Sequence, residues 1–220
     1  MLPLFLAALS NVVGLGVIVP LLPFYAEEAG AGPAQIAWLF AVFSLAQFVT
    51  APLWGRLSDR IGRKPVIAIS FLGSVAGYLW LAYAGDLVTI FLARIFSGAM
   101  NGWLATSQAY IADVTTPERR ARGMGILGAA FGVGFVIGPA LGGYLVGGET
   151  PNYWLPMMIA AGGSAIACGV TLVAMREPER HSEPGGIRTR LPDLLRKAPI
   201  IGAFITLNMC LFFVFAGMES

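Results

Sequence analysis

The chain has 220 residues, of which 57% are hydrophobic and 12% charged, with a mean hydropathy of +0.75 and a formal net charge of +2. Soluble globular domains carry roughly 25% charged residues, so this composition excludes one and points to an integral membrane protein. The small net charge says little by itself, because in a membrane chain the informative quantity is which connections hold the charge.

A bilayer core takes about 20 apolar residues per helix. Seven runs approach that length, at 4–25, 33–54, 65–84, 87–111, 122–145, 153–175 and 199–217. Period-two alternation over segments of about ten residues does not recur, so the fold class is all-α rather than a membrane barrel. The first run opens on Leu2-Pro3-Leu4-Phe5 with no basic stretch ahead of it and no small-residue cleavage site behind it. It is expected to stay in the mature protein. Cys168 and Cys210 lie inside apolar runs and read as small buried or lipid-facing side chains, not as a disulfide or a metal pair.

Thirteen of the fourteen Lys and Arg residues fall in three alternate connections. Arg56, Arg60, Arg63 and Lys64 follow the second run, Arg119, Arg120 and Arg122 the fourth, and Arg176, Arg180, Arg188, Arg190, Arg196 and Lys197 the sixth. The other connections hold only Glu27, Glu28, Asp86 and Glu149. By the positive-inside rule the basic connections and the N-terminus are cytoplasmic, which predicts a multi-pass protein of the plasma (cytoplasmic) membrane. Tyr25, Trp38, Trp80, Tyr83, Tyr144, Tyr153 and Trp154 fall near the outer ends, and Trp54 and Tyr110 near the inner ends, as interfacial aromatics do. Trp103 falls mid-span, where it either walls a ligand cavity or packs.

The turn after the second run, Gly55-Arg56-Leu57-Ser58-Asp59-Arg60-Ile61-Gly62-Arg63-Lys64-Pro65, is expected to break the helix at Gly55, Gly62 and Pro65. Gly55 would let two helix ends approach. Asp59 can accept hydrogen bonds from a helix N-terminus or from Arg63, and the cations suit an anionic leaflet. In the fourth run, Arg94 is a charge that costs several kcal/mol at membrane depth unless paired or hydrated. Ser97, Gly98, Asn101, Ala105 and Gln108 share its helix face, a polar stripe expected to face water or substrate; the alternative is that Arg94 snorkels to the outer surface. Asp113, at the inner end, either pairs with Arg60 or Arg63 or is a plain interfacial carboxylate. The fifth run spaces glycines for close helix packing and carries Pro139, which bends a helix.

These residues resemble the motifs of the major facilitator superfamily. Gly55, Leu57, Ser58, Asp59, Arg60, Gly62, Arg63, Lys64 and Pro65 match its motif A; Ala93 to Gly98 resembles motif B in part, with Ser97 where glutamine is usual. Gly134, Gly138, Pro139, Gly142 and Gly143 resemble motif C, the mark of antiporters. Gln108 to Arg122 and Gly14 to Pro23 are similar to the tetracycline-resistance and multidrug branch, in which Asn11 is often an aspartate. Asparagine does not exchange a proton near neutral pH.

The resemblance implies an N-terminal six-helix bundle over residues 1–175, made of two inverted three-helix repeats. A cytoplasmic linker at 176–198 and a seventh helix at 199–220, the start of a second half, would follow. It further implies alternating-access, proton-coupled efflux of small, lipophilic compounds. Motif A would act as a conformational latch, Arg94, Asn101, Gln108, Asp113 and Asn11 would serve coupling or the cavity, and the motif C glycines would contact the opposite half. The chain is expected to stop short of that half.

The linker holds Pro178, Pro184, Gly185, Gly186 and Pro192, a solvated His181 and an interfacial helix at Leu191 to Lys197. No cofactor, metal or nucleic acid is expected. Neither is an enzyme, since the chain shows no metal-ligand cluster, no phosphate loop after a strand and no intramembrane Ser-His or Asp-Asp pair. The alternatives are a non-transporting membrane protein, either a truncated remnant or a scaffold that pairs with another helix bundle, and a nutrient symporter of the same fold.

Overall fold

The computed structural model describes residues 1–147 and 151–178. The expected linker, His181, Cys210 and the seventh helix lie outside the described residues. Seven helices run in order: α1 (Leu2–Glu28), α2 (Pro33–Ile61), α3 (Arg63–Ala82), α4 (Leu87–Met100), α5 (Trp103–Val114), α6 (Pro117–Val146) and α7 (Trp154–Ala174). With α4 and α5 taken as one span, six spans are long and apolar enough to cross a membrane. The protein is an all-α, multi-pass bundle.

Local chemistry sets the helix ends. Pro33 and Pro117 start α2 and α6, where a missing N–H costs nothing and φ is already helical. Asp86 caps α4 by accepting from the Thr89 N–H at 2.9 Å. Asn152 accepts from the N–H groups of Trp154 and Leu155 at 3.1 and 3.3 Å and so caps α7. Gly30 turns α1 into α2 at φ +84°.

The helices of the first and second halves of the bundle interleave. α1 packs against α6 and α7, α3 against α7, and α4 against α2 and α3. One apolar core joins Leu4, Ala8, Phe71, Trp103, Ile111 and Leu127; a second joins Ile18, Leu22, Leu39, Leu81, Ile90 and Met157. Trp103 belongs to the first core, 3% exposed, stacked 5.6 Å from Phe131 and tilted against Phe71 at 5.5 Å. It is a packing residue of that core.

The same tie occurs at opposite ends of the bundle. Tyr25, late in span one, donates its hydroxyl to the Leu81 carbonyl at 3.1 Å and to that of Ala84, closing the end of α3. Tyr110, late in span four, donates to the Arg176 carbonyl at 3.1 Å, just past α7. In each set of three spans a tyrosine of the first is hydrogen-bonded to the end of the third.

Candidate functional site

The α2–α3 turn is tighter than the sequence suggests. α2 continues through Gly55 to Ile61, and a side chain at Gly55 would meet nothing within 4 Å. Gly55 therefore neither breaks the helix nor brings two helix ends together among the described residues, because the run around it stays helical up to Gly62. The single break is Gly62, at φ +109°, a left-handed conformation that favours glycine. Pro65 is the third residue of α3, where its missing N–H has no intrahelical partner to lose.

Arg63 gathers the turn. Its Nη1 donates to Asp59 Oδ1 at 2.7 Å and to Ser58 Oγ at 2.6 Å, while Nε donates to Asp113 Oδ2 at 2.9 Å. The guanidinium side chain is 19% exposed, against 64% for Asp59 and 39% for Asp113. Three helices thus meet on one cation: α2 through Asp59, α3 through Arg63 and α5 through Asp113. Of the two partners considered for Asp113, the structure pairs it with Arg63. Arg60 is exposed in the last turn of α2, and Lys64 is half-buried at the start of α3.

The stripe that begins at Arg94 is not continuous. Span four breaks at Asn101 and Gly102, which separate α4 from α5. Trp54 of α2 covers the break: its indole N–H donates to the Ala99 carbonyl at 2.7 Å, and its ring lies where a Gly102 side chain would be. Above the break, Arg94 is 3% exposed, with its guanidinium carbon 4.2 Å from the centre of the Phe43 ring of α2. Such cation–π contacts are worth about 0.5–2 kcal/mol, and the Arg94 Nε has no hydrogen-bond partner among the described residues.

Gly98 lies against the Phe43 backbone, and Ser97 against Gly77 of α3. The upper stripe therefore faces its own bundle and not water, because α2 and α3 close over it; Arg94 does not snorkel outward either. Below the break Asn101 is half-buried, while Ala105 and Gln108 are exposed.

Asn11 is also inside. Its Oδ1 accepts from the Ser164 hydroxyl of α7 at 3.0 Å, and the neighbouring Ser10 hydroxyl donates to the Gly163 carbonyl at 2.8 Å. At 3% exposure Asn11 is a buried link between α1 and α7, not a cavity-lining group.

The motif C glycines divide by face. A Cβ on Gly138 would lie 2.6 Å from Gly16 Cα of α1, one on Gly134 2.7 Å from a Val12 methyl, and one on Gly142 3.0 Å from the Val17 carbonyl. These three form the α1–α6 seam within this half, which corrects their expected contact with the opposite half. Their spacing of four puts them on one face, and α1 is the helix that face meets. Gly143 points the other way, with Gly125, Gly128 and Gly132, and nothing lies within 4 Å of a side chain there. Pro139 sits inside α6 beside this exposed face, near Gly16.

Two contributors have no signature in the sequence. Glu177 accepts from the backbone N–H groups of Arg63 at 2.6 Å and Lys64 at 2.9 Å, the helix-terminus role expected for Asp59. In the sequence it reads as one more linker charge. Trp54 reads as an interfacial aromatic, although Gly102, a small residue facing a large one across two spans, is a trace of its packing.

The chain matches the Major Facilitator Superfamily over residues 4–220. It is 39% identical over 157 residues to the tetracycline resistance protein, class D, of Salmonella ordonez, covering 70% of this chain and 39% of that protein. With the class G tetracycline resistance protein of Vibrio anguillarum it shares 34% over 199 residues, or 84% of this chain and 49% of that one. Among solved structures, the human organic anion transporter MFSD10 (TETRAN) superimposes with a TM-score of 0.70 at 25% identity, over 81% of this chain and 47% of its own. The chain spans just under half, or less, of each of these relatives. It belongs to the Major Facilitator Superfamily, within reach of its tetracycline- and multidrug-resistance members.

Proposed function

We propose that these residues are the N-terminal half of a secondary transporter that works by alternating access and exports small, lipophilic compounds in exchange for protons. The N-terminus and the basic connections would be cytoplasmic, in the plasma membrane, in line with the positive-inside rule. On this reading residues 1–175 would be the bundle, 176–198 the linker and 199–220 the first helix of the second half.

The observation that carries this proposal is the Arg63 cluster. Exposed carboxylates on α2 and α5 share one cation on α3 at a membrane surface, an arrangement that can be opened and re-formed at little cost. Asp59, Arg60, Gly62, Arg63 and Lys64 would latch one access state. Trp54 covers the break at Asn101 and Gly102, and the exposed Ala105 and Gln108 are the part of span four that a substrate path can reach. The exposed α6 face at Gly128, Gly132 and Gly143 is one surface open to the second half.

Among the described helices, the acidic residues lie at the ends: Glu27 and Glu28 close α1, Asp59 closes α2, Asp113 closes α5 and Glu118 opens α6. The proton-accepting carboxylate would then be Asp113, whose pairing with Arg63 is exposed and can open, or Glu219, or one in the second half. The names of the relatives, tetracycline and multidrug resistance proteins, supply the substrate class.

The test is transport into inside-out vesicles carrying the full-length protein, with and without an imposed proton gradient. Gradient-driven accumulation of tetracycline or a lipophilic cation supports antiport. Uptake in the opposite sense, with protons, supports a nutrient symporter, and no movement of either kind supports a scaffold.

A further inference from the structure

The first four N–H positions of a helix have no intrahelical acceptor and form its positive end. In α3 all four are accounted for. The Gly62 N–H donates back to the Ser58 carbonyl at 3.1 Å, and Pro65 has none to donate. The remaining two, on Arg63 and Lys64, are both taken by the Glu177 carboxylate, one oxygen each, at 2.6 and 2.9 Å. The N-cap residue, Gly62, has no side chain with which to do this, and Asp59 is turned toward the Arg63 guanidinium.

Glu177 reaches across more than a hundred residues of sequence, whereas α4 and α7 are capped by their neighbours Asp86 and Asn152. The segment that carries it is held. Met175 is 3% exposed, and the Arg176 carbonyl accepts from Tyr110 of α5. Gly62 also makes room for it, since a Cβ there would stand 2.5 Å from Glu177 Oε1.

We infer that Glu177 is a positioning residue for the charged cluster: it fixes the first turn of α3 so that the Arg63 side chain faces Asp59 and Asp113. Arg63 is gripped twice, through its backbone by the exit of α7 and through its guanidinium by α2 and α5. Any displacement of the chain leaving α7 is thereby passed to the cluster. The static claim stands without the transport proposal; only its consequence for access states rests on that proposal.

The test is amide exchange and arginine-selective nitrogen NMR on the full-length protein in lipid nanodiscs, with the Arg63 signal assigned by its loss in Arg63→Lys. Glu177→Ala should speed exchange of the Arg63 and Lys64 amides at least tenfold, and Glu177→Gln, which keeps one acceptor, by less. Asp113→Asn should leave both amides slow. Glu177 does not touch the Arg63 side chain, yet Glu177→Ala should also speed exchange of the Arg63 Nε–H toward its rate in Asp113→Asn. Unchanged amide exchange in Glu177→Ala would overturn the cap. Fast amides with an Nε–H still as slow as in the unsubstituted protein would overturn the positioning role. Neither readout requires transport, so a protein that moves no substrate would count against the proposed function and not against Glu177.

Discussion

The α1–α6 seam and the Arg63 cluster hold the same bundle together by opposite means. In the seam, Gly16 and Gly138 leave no space for a methyl group, and the contact is backbone against backbone without a charge. At the cluster, long polar side chains meet at hydrogen-bond distance while their carboxylates remain partly in solvent. A seam of that kind is a steric fit that holds or fails. A cluster of the second kind is a set of individually weak bonds that can exchange partners, so a moving transporter can keep the first closed while it works the second.

The strongest way to break this comparison is at Gly138. Gly138→Leu should force α1 and α6 apart and lower stability by at least roughly 1–3 kcal/mol, the usual cost of overpacking, seen as a lower midpoint of thermal unfolding in detergent. An unchanged midpoint would mean that the seam is looser than its backbone contacts indicate. At the cluster, Asp113→Asn should lower stability by no more than about 1 kcal/mol, the ordinary worth of an exposed ion pair, while strongly reducing export by the full-length protein. Equal damage to stability from the two substitutions would erase the distinction.

The smallest effect is expected at Asp86, at the end of the bundle opposite the cluster. The Thr89 backbone N–H first, and its hydroxyl second, hold the Asp86 carboxyl below the usual value. A lowered folded-state value favours the charged form, so the contribution is complete above the ordinary carboxylate range and disappears as pH falls through the lowered one. The unfolding midpoint should therefore fall slightly between about pH 5 and about pH 3, and Asp86→Asn should flatten that slope without affecting export.

Much of this architecture was legible in the residues. Run length found the six described spans, since 20-odd apolar residues leave little choice but a membrane helix. Asp59, Gly62 and Arg63 could be placed in one turn because they are close in sequence, and Asp113 could be brought to them because both ends carried opposite charge. The break in span four was not legible, for Asn101-Gly102 is unremarkable until Trp54 is seen lying over it. The partner of a glycine face is equally silent: spacing shows that Gly134, Gly138 and Gly142 share a side, but not that α1 fills it. Arg94 misled for a related reason. A charge in a span suggests water, yet an aromatic ring and two covering helices enclose it.

If the α2–α3 turn is the proposed latch, its loss stops movement and not folding. This is tested most directly by Asp59→Asn in the full-length protein, with gradient-driven uptake into inside-out vesicles compared at equal amounts of protein in the membrane. The latch predicts membrane levels and an unfolding midpoint close to those of the unsubstituted protein, with uptake lost. Unimpaired uptake at equal protein would contradict it.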